Sequence, residues 1–276
     1  VPNSSIERIL ILAKTYPSPS SKYMETSCVA GITDKGLMRR LYPVPFRLLE
    51  GAQQFSKWQW INVRTIKAPQ DHRKESYRLF VDTLACGEKI ESKQNWAFRR
   101  YWLEQIPSFD SFGDIERSRI DDGLSLSLLR PKKVFKLEIA KAKSLDWTPE
   151  EKEKLLCEQT QDDLFSQEDA ERDFATLRKV PFDFYYHYLC DTAEGEKEYH
   201  HKIVDWEACA LYWNCVKKHG SNWEVPFRAG LEDKLISKDL MFLMGNQHRF
   251  QHQWLIISMI YPPKPQPQEV TQFSLF

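Results

Sequence analysis

The stretch Lys57-Trp58-Gln59-Trp60-Ile61-Asn62-Val63-Arg64-Thr65-Ile66-Lys67 decides the fold. Successive side chains of a β-strand point to opposite faces, so Ile61, Val63 and Thr65 share one side while Trp58, Trp60, Asn62 and Arg64 share the other. One side has the character of a core and the other that of a reading surface. Working upstream, residues 6–13 form an apolar run that ends before Pro17, residues 27–32 and 37–42 form two more strands, and residues 46–55 have helical spacing. Downstream, residues 77–81 supply another strand. The order is three strands, a helix, then two strands.

That order returns in the second half. Runs at 133–143, 182–190 and 199–204 precede a helix that Asp205 caps, and two apolar strands come after it at 240–244 and 254–261. This is the plan of the five-stranded OB barrel. The expected fold is therefore mainly β with α insertions, two OB-like five-stranded barrels. The expected domains are 6–90 and 133–262, the second with an acidic helical insertion at 148–174. Residues 91–132 read as an aromatic helical and loop insertion, 1–5 as a tag remnant and 263–276 as a flexible Pro-rich tail.

With 42% hydrophobic and 28% charged residues, the chain of 276 residues is globular rather than disordered and long enough for two cores. No apolar run reaches the roughly 18 residues of a membrane span, so the expectation is a cytoplasmic protein without a membrane partner. Six cysteines without a CxxC pair read as small core residues in a reducing compartment. Net charge is zero, but residues 1–147 hold 25 Lys and Arg against 17 Asp and Glu, an excess of eight. A basic half of this kind suits a polyanion.

The leading candidate surface is the basic and aromatic side of the first barrel: Arg39, Arg40, Arg47, Lys57, Trp58, Trp60 and Arg64, with His72 and Arg73 in the loop before the fifth strand. Bases stack on flat aromatic faces while Lys and Arg neutralise phosphates. The alternative is that the tryptophans pack against the other barrel or the helix around Trp96. Asn246, Gln247, His248 and Arg249 form a second polar loop at the expected mouth of the second barrel. His200, His201, Asp205 and Glu207 include metal-ligand types, but adjacent strand residues point apart and Asp205 is accounted for as a cap. No metal, cofactor or catalytic residue is expected. No phosphate-cradling glycine loop or nucleophile elbow occurs.

Several phrases carry a resemblance: Cys28-Val29-Ala30-Gly31-Ile32, Arg40-Leu41-Tyr42-Pro43-Val44-Pro45-Phe46-Arg47, Asp71-His72-Arg73-Lys74-Glu75-Ser76-Tyr77, Asp205-Trp206-Glu207 and Met244-Gly245-Asn246. In these the chain resembles a group of largely uncharacterised prokaryotic proteins described as dual OB-containing, associated with defence and mobile-element settings. The resemblance implies a nucleic-acid-related role and supplies no catalytic residues. The residues themselves lead to a nucleic-acid-binding protein, with single-stranded or distorted DNA as partner. An enzyme acting on nucleic acid or a modified base, and a scaffold that docks a protein partner, are the alternatives.

Overall fold

The computed structural model describes residues 4–20, 25–156 and 177–264. Most of the acidic insertion, all but the first two residues of the expected tail and the first three residues of the expected tag remnant lie outside the described residues.

The first unit begins with β1 (Ser5–Lys14), β2 (Ser18–Pro19), β3 (Glu25–Thr33) and β4 (Met38–Val44). The helix expected at 46–55 is instead a pair of 3-10 turns, Phe46–Leu48 and Gly51–Gln53. Leu49 and Glu50 are extended between the two turns, and Gly51 disfavours a continuous helix through the stretch. Next come β5 (Gln59–Lys67), β6 (Ser76–Leu79) and β7 (Ala85–Lys89). β1 pairs antiparallel with β5 through its first half and with β3 through its second. β4 pairs parallel with β6, and β6 returns antiparallel to β5. The path β1-β3-β4-β6-β5-β1 therefore closes into a five-stranded barrel of OB type. At the bend of β1, a Cβ added to Gly31 would stand 2.5 Å from the Leu10 carbonyl oxygen, so the two strands approach closely only because residue 31 has no side chain.

The chain continues through α1 (Ala97–Leu103), β8 (Ser108–Phe109), α2 (Phe112–Asp122) and β9 (Leu126–Leu129), then β10 (Lys133–Lys141), α3 (Pro149–Leu156), β11 (Phe182–Thr192) and β12 (Gly195–Ile203). It ends with α4 (Trp206–His219), α5 (Glu224–Arg228) running into a π-helical turn at Ala229–Lys234, β13 (Met241–Asn246) and β14 (Trp254–Ile260). These strands form one sheet in the order β10-β11-β12-β14-β13-β9-β8. The order of β10 to β14 within it keeps the OB plan, including the parallel β12–β14 pair, but the path is open. β13 pairs with β9 rather than β10. Pro131 has no N–H to donate, so the chain breaks its pairing between β9 and β10. β9 faces β13 and β10 faces β11, dividing between two strands the pairing that β1 achieves alone in the first unit. β8 and β9 lie within the stretch 91–132 and both belong to this sheet.

Among the described residues three apolar clusters hold the molecule together. Ile9, Ile11, Val29, Leu41, Phe55, Ile61 and Val63 fill the first barrel. Val134, Leu137, Phe184, Tyr186, Tyr188, Tyr212, Phe227, Phe242 and Met244 fill the second unit. The third lies between them: Leu10 and Leu12 of β1, Trp58, Trp60, Trp96, Leu126, Leu128, Met241, Leu243 and Ile257. Period-two alternation explains the division. β1 sends Ile9 and Ile11 inward and Leu10 and Leu12 toward the second unit, while β13 sends Phe242 and Met244 one way and Met241 and Leu243 the other. Strands buried on both faces read as unbroken apolar runs, which is how residues 9–13 and 240–244 read.

Candidate functional site

The alternation read in β5 is present. Ile61, Val63 and Thr65 are fully buried in the barrel, and Trp60, Asn62 and Arg64 are on its outer side. The expectation that the tryptophans meet solvent is corrected: Trp58 and Trp60 are each only 4% exposed. α1 and its approach lie over them, with Trp96 edge-on to Trp58 at 5.5 Å and Trp102 edge-on to Trp60 at 4.9 Å. Two indoles expose too much apolar surface to be left in water when an aromatic helix and a second unit can cover them. Their faces are not free platforms for bases.

Most of the expected cations are likewise committed to the protein. Arg39 Nη2 donates to Glu7 at 2.6 Å, and the guanidinium lies 4.3 Å from the Tyr77 ring centroid. Arg40 is buried and donates to the Ser125 carbonyl at 2.7 Å, while the Ser125 hydroxyl donates to Glu75 at 2.8 Å. Arg47 donates to Glu25 at 2.9 Å. Arg73 is held by Asp71 and donates to the Asn246 carbonyl at 2.6 Å. Arg64 is half-exposed over Phe80, 4.1 Å from the ring centroid, with Asp82 at 4.0 Å. His72, His248 and Arg249 are exposed, Gln247 is partly buried, and Asn246 is buried. The loop around Asp71 and the loop around Asn246, each expected at a barrel mouth, therefore meet each other. Buried charges demand partners, and these loops supply them across the junction of the two units.

Lys57 leads to a different place. Its Nζ donates to the Met259 carbonyl at 2.6 Å and stands 3.4 Å from Glu207. It lines a cleft of about 160 Å³ together with Ser56, Trp58, Lys89, Trp96, Arg99, Glu207 and Tyr261. The first barrel, α1, the start of α4 and the end of β14 all contribute. Arg99 packs against two indoles that also touch each other, its guanidinium carbon 4.9 Å from the Trp58 centroid and 4.7 Å from that of Trp96. Its Nε donates to the Ile90 carbonyl at 2.9 Å. Lys89 is exposed at the rim.

Backbone strain is concentrated at the same cleft. The non-glycine residues with positive φ among the described residues are Trp58 (66°), Gln94 (51°), Asn95 (54°) and Trp96 (66°). A left-handed conformation is unusual for a bulky residue and persists only where the surroundings fix it. At Trp58 they do: its N–H donates to the Ile11 carbonyl and its carbonyl accepts from the Ile90 N–H, both at 2.7 Å.

Beside the cleft, Lys14 sits in an aromatic cage with its Nζ 3.6 Å from the Phe46 ring centroid and 5.3 Å from that of Trp206. Burial lowers its pKa to about 8, against the opposing pull of Glu207 and Asp205. Asp205 is buried, accepting from the Glu207 N–H at 2.8 Å and the Met259 N–H at 2.9 Å, and burial raises its carboxyl. In the second sheet His200 stacks on His187, whereas His201 turns inward to the Tyr188 hydroxyl at 2.8 Å, and burial lowers its pKa to about 4. Among the described residues no group of three or more His, Cys, Asp or Glu is placed to hold a metal ion. No helix among them is long and apolar enough to cross a membrane.

Of the expected residues, the cleft gathers Lys57 and Trp58. Lys89, Trp96, Arg99, Glu207 and Tyr261 were not foreseen there. No local spacing signals them: Trp96 stands before α1 in left-handed backbone and Arg99 within it, so helical periodicity does not bring the two together.

In a comparison with solved structures, the chain is similar at a TM-score of 0.24 and 9% identity to a replication protein A heterotrimer bound to single-stranded DNA. The match covers 95% of this chain and 66% of that one, and at that score it carries no argument. A search of curated proteins returns no match. Residues 5–105 match the model of the family described as Domain of unknown function (DUF8758). Residues 108–276 match that of Domain of unknown function (DUF8757). This second match spans more than half of the sequence, and the chain belongs to that family.

Proposed function

We propose that this protein binds nucleic acid, single-stranded DNA in the first instance, at the cleft between the first barrel, α1 and the second unit. The observation that carries the reading is the convergence of Lys57, Lys89 and Arg99 with Trp58, Trp96 and Tyr261, against the single carboxylate of Glu207, on the part of the chain where left-handed non-glycine backbone collects. Strain of this kind is a cost that structures keep at sites of function. The fold alone does not carry the reading, because OB-like barrels serve many ligands. With the indole faces occupied by Arg99 and by each other, attraction to phosphate contributes more than base stacking. A cytoplasmic setting in prokaryotic defence against mobile DNA, as the family resemblance implies, belongs to the same proposal.

Fluorescence anisotropy with labelled single- and double-stranded oligonucleotides at about 50 and 200 mM salt tests it. Three cations engaging a single strand give a salt slope of about −2, hence roughly a 15- to 20-fold weaker affinity at the higher salt. Lys89→Glu, at an exposed position, weakens binding at least about fivefold, since one charge reversed near phosphate is worth around 1 kcal/mol. Binding that ignores salt, or that Lys89→Glu leaves unchanged, contradicts the proposal.

A further inference from the structure

Arg99 is 8% exposed, and its guanidinium is immobilised by two indoles and by one bond from Nε to the Ile90 carbonyl. Among the described residues neither Nη group has a protein partner, and both belong to a residue that lines the cleft. Neither Nη atom is among the buried polar atoms that lack a partner, so the forked end of Arg99 opens to water in the cleft, where an anionic ligand can take the water's place. Lys89 adds an exposed ammonium at the rim that also has no bonded partner among the described residues. Lys57 adds a third cation, already fixed to the Met259 carbonyl. Against these three stands Glu207, with Glu91 acting on Arg99 from outside the lining.

Size limits the occupant. The cleft's 160 Å³ is below the roughly 300 Å³ from which pockets for drug-sized ligands begin. A phosphate group fits inside it, with the rest of a nucleotide or strand lying across the open mouth. An internal phosphodiester carries one charge, whereas a phosphomonoester carries about −1.5 to −2 near neutral pH and three accepting oxygens. The lining alone, three cations less the Glu207 carboxylate, is closer to the second, with Glu91 exposed outside it and screened by water. The forked end of Arg99 suits two of those oxygens at once.

We infer that the cleft receives one phosphomonoester, the terminal phosphate of a nucleic-acid strand. This deepens the proposed function and rests on it. Strand ends, rather than continuous strand, are then the preferred target of the first barrel.

The test uses the full chain and three oligonucleotides of one sequence with an internal fluorophore: 5′-phosphorylated, 3′-phosphorylated and hydroxyl at both ends. One phosphorylated form binds at least about tenfold tighter than the hydroxyl form, the equivalent of one good charge-assisted contact. Lys89→Ala and Arg99→Lys abolish most of that preference, the latter keeping a charge beside the indoles while removing the fork. Should Arg99→Lys fail to fold, Lys89→Ala decides alone. Glu207→Gln raises affinity for the phosphorylated form about threefold by removing a nearby like charge, a gain that a purely structural role does not produce. Equal binding of all three oligonucleotides overturns this inference and leaves the proposed function standing. A preference that survives Lys89→Ala places the phosphate elsewhere and also overturns it. No binding of any oligonucleotide overturns both.

Discussion

Arg40 and Arg64 carry the same charge on the outer side of one barrel, yet their environments assign them opposite roles. Arg40 is buried and bridges to Ser125, which in turn satisfies Glu75, whereas Arg64 is half-exposed with Asp82 at 4.0 Å. Arg40→Ala leaves the buried Ser125 carbonyl without its donor and costs about 1–3 kcal/mol, while Arg64→Ala costs less than about 1 kcal/mol. Urea unfolding of the two variants checks this, and similar midpoints for both would contradict it. Lys14 provides a titration. Its pKa is lowered to about 8 in the folded chain, chiefly by burial, from an ordinary value of 10.5. The unfolded chain therefore binds more protons between those values, and the burial penalty on the charged lysine, full below pH 8, is relieved as pH rises toward 10.5. Replacing Lys14 by Met removes that dependence. Wild type gains about 2 kcal/mol relative to Lys14→Met between about pH 8 and pH 10, read from chemical unfolding at both pH values; a constant difference would contradict the assignment.

At the scale of elements, the start of α4 joins helix formation to the docking of the units. Asp205 caps the helix through the Glu207 N–H and with its other oxygen accepts from Met259 on β14. Asp205→Ala therefore loses a cap worth about 1 kcal/mol and orphans a buried N–H at roughly a further 1–3 kcal/mol. Asp205→Asn, which keeps one accepting oxygen, loses less. Thermal unfolding that ranks Asn below Ala would contradict this account. The sequence carried the cap at Asp205, the alternation of β5 and the strand order of the first barrel, because each depends on neighbours within a few residues. It did not carry the covering of Trp58 and Trp60, since parity says which side a residue takes but not what lies on that side. The division of the second unit's first strand at Pro131 was also missed. β9 is only Leu126–Leu129, and its partner β13 lies about a hundred residues further along the chain.

For the whole molecule, the two units share a core rather than facing each other across a linker. The loops expected to read ligand at each barrel mouth, around Arg73 and Asn246, bond to one another instead. The excess of basic residues in the first half thus goes partly into holding the second half in place. The set left at the cleft is small: Lys57, Lys89 and Arg99. No local pattern could have assembled it, because its lining runs from Ser56 to Tyr261. The most direct measurement is photo-crosslinking of the full chain to a single-stranded oligonucleotide carrying 5-bromodeoxyuridine next to its phosphorylated end, with peptide mapping of the products. Cross-links on the peptides that contain Trp58, Trp96 or Tyr261, and their loss in Lys89→Glu, are predicted. Cross-links confined to the exposed loop of His248 and Arg249 or to the outer face of β11 and β12 would contradict the cleft as the place where nucleic acid is held.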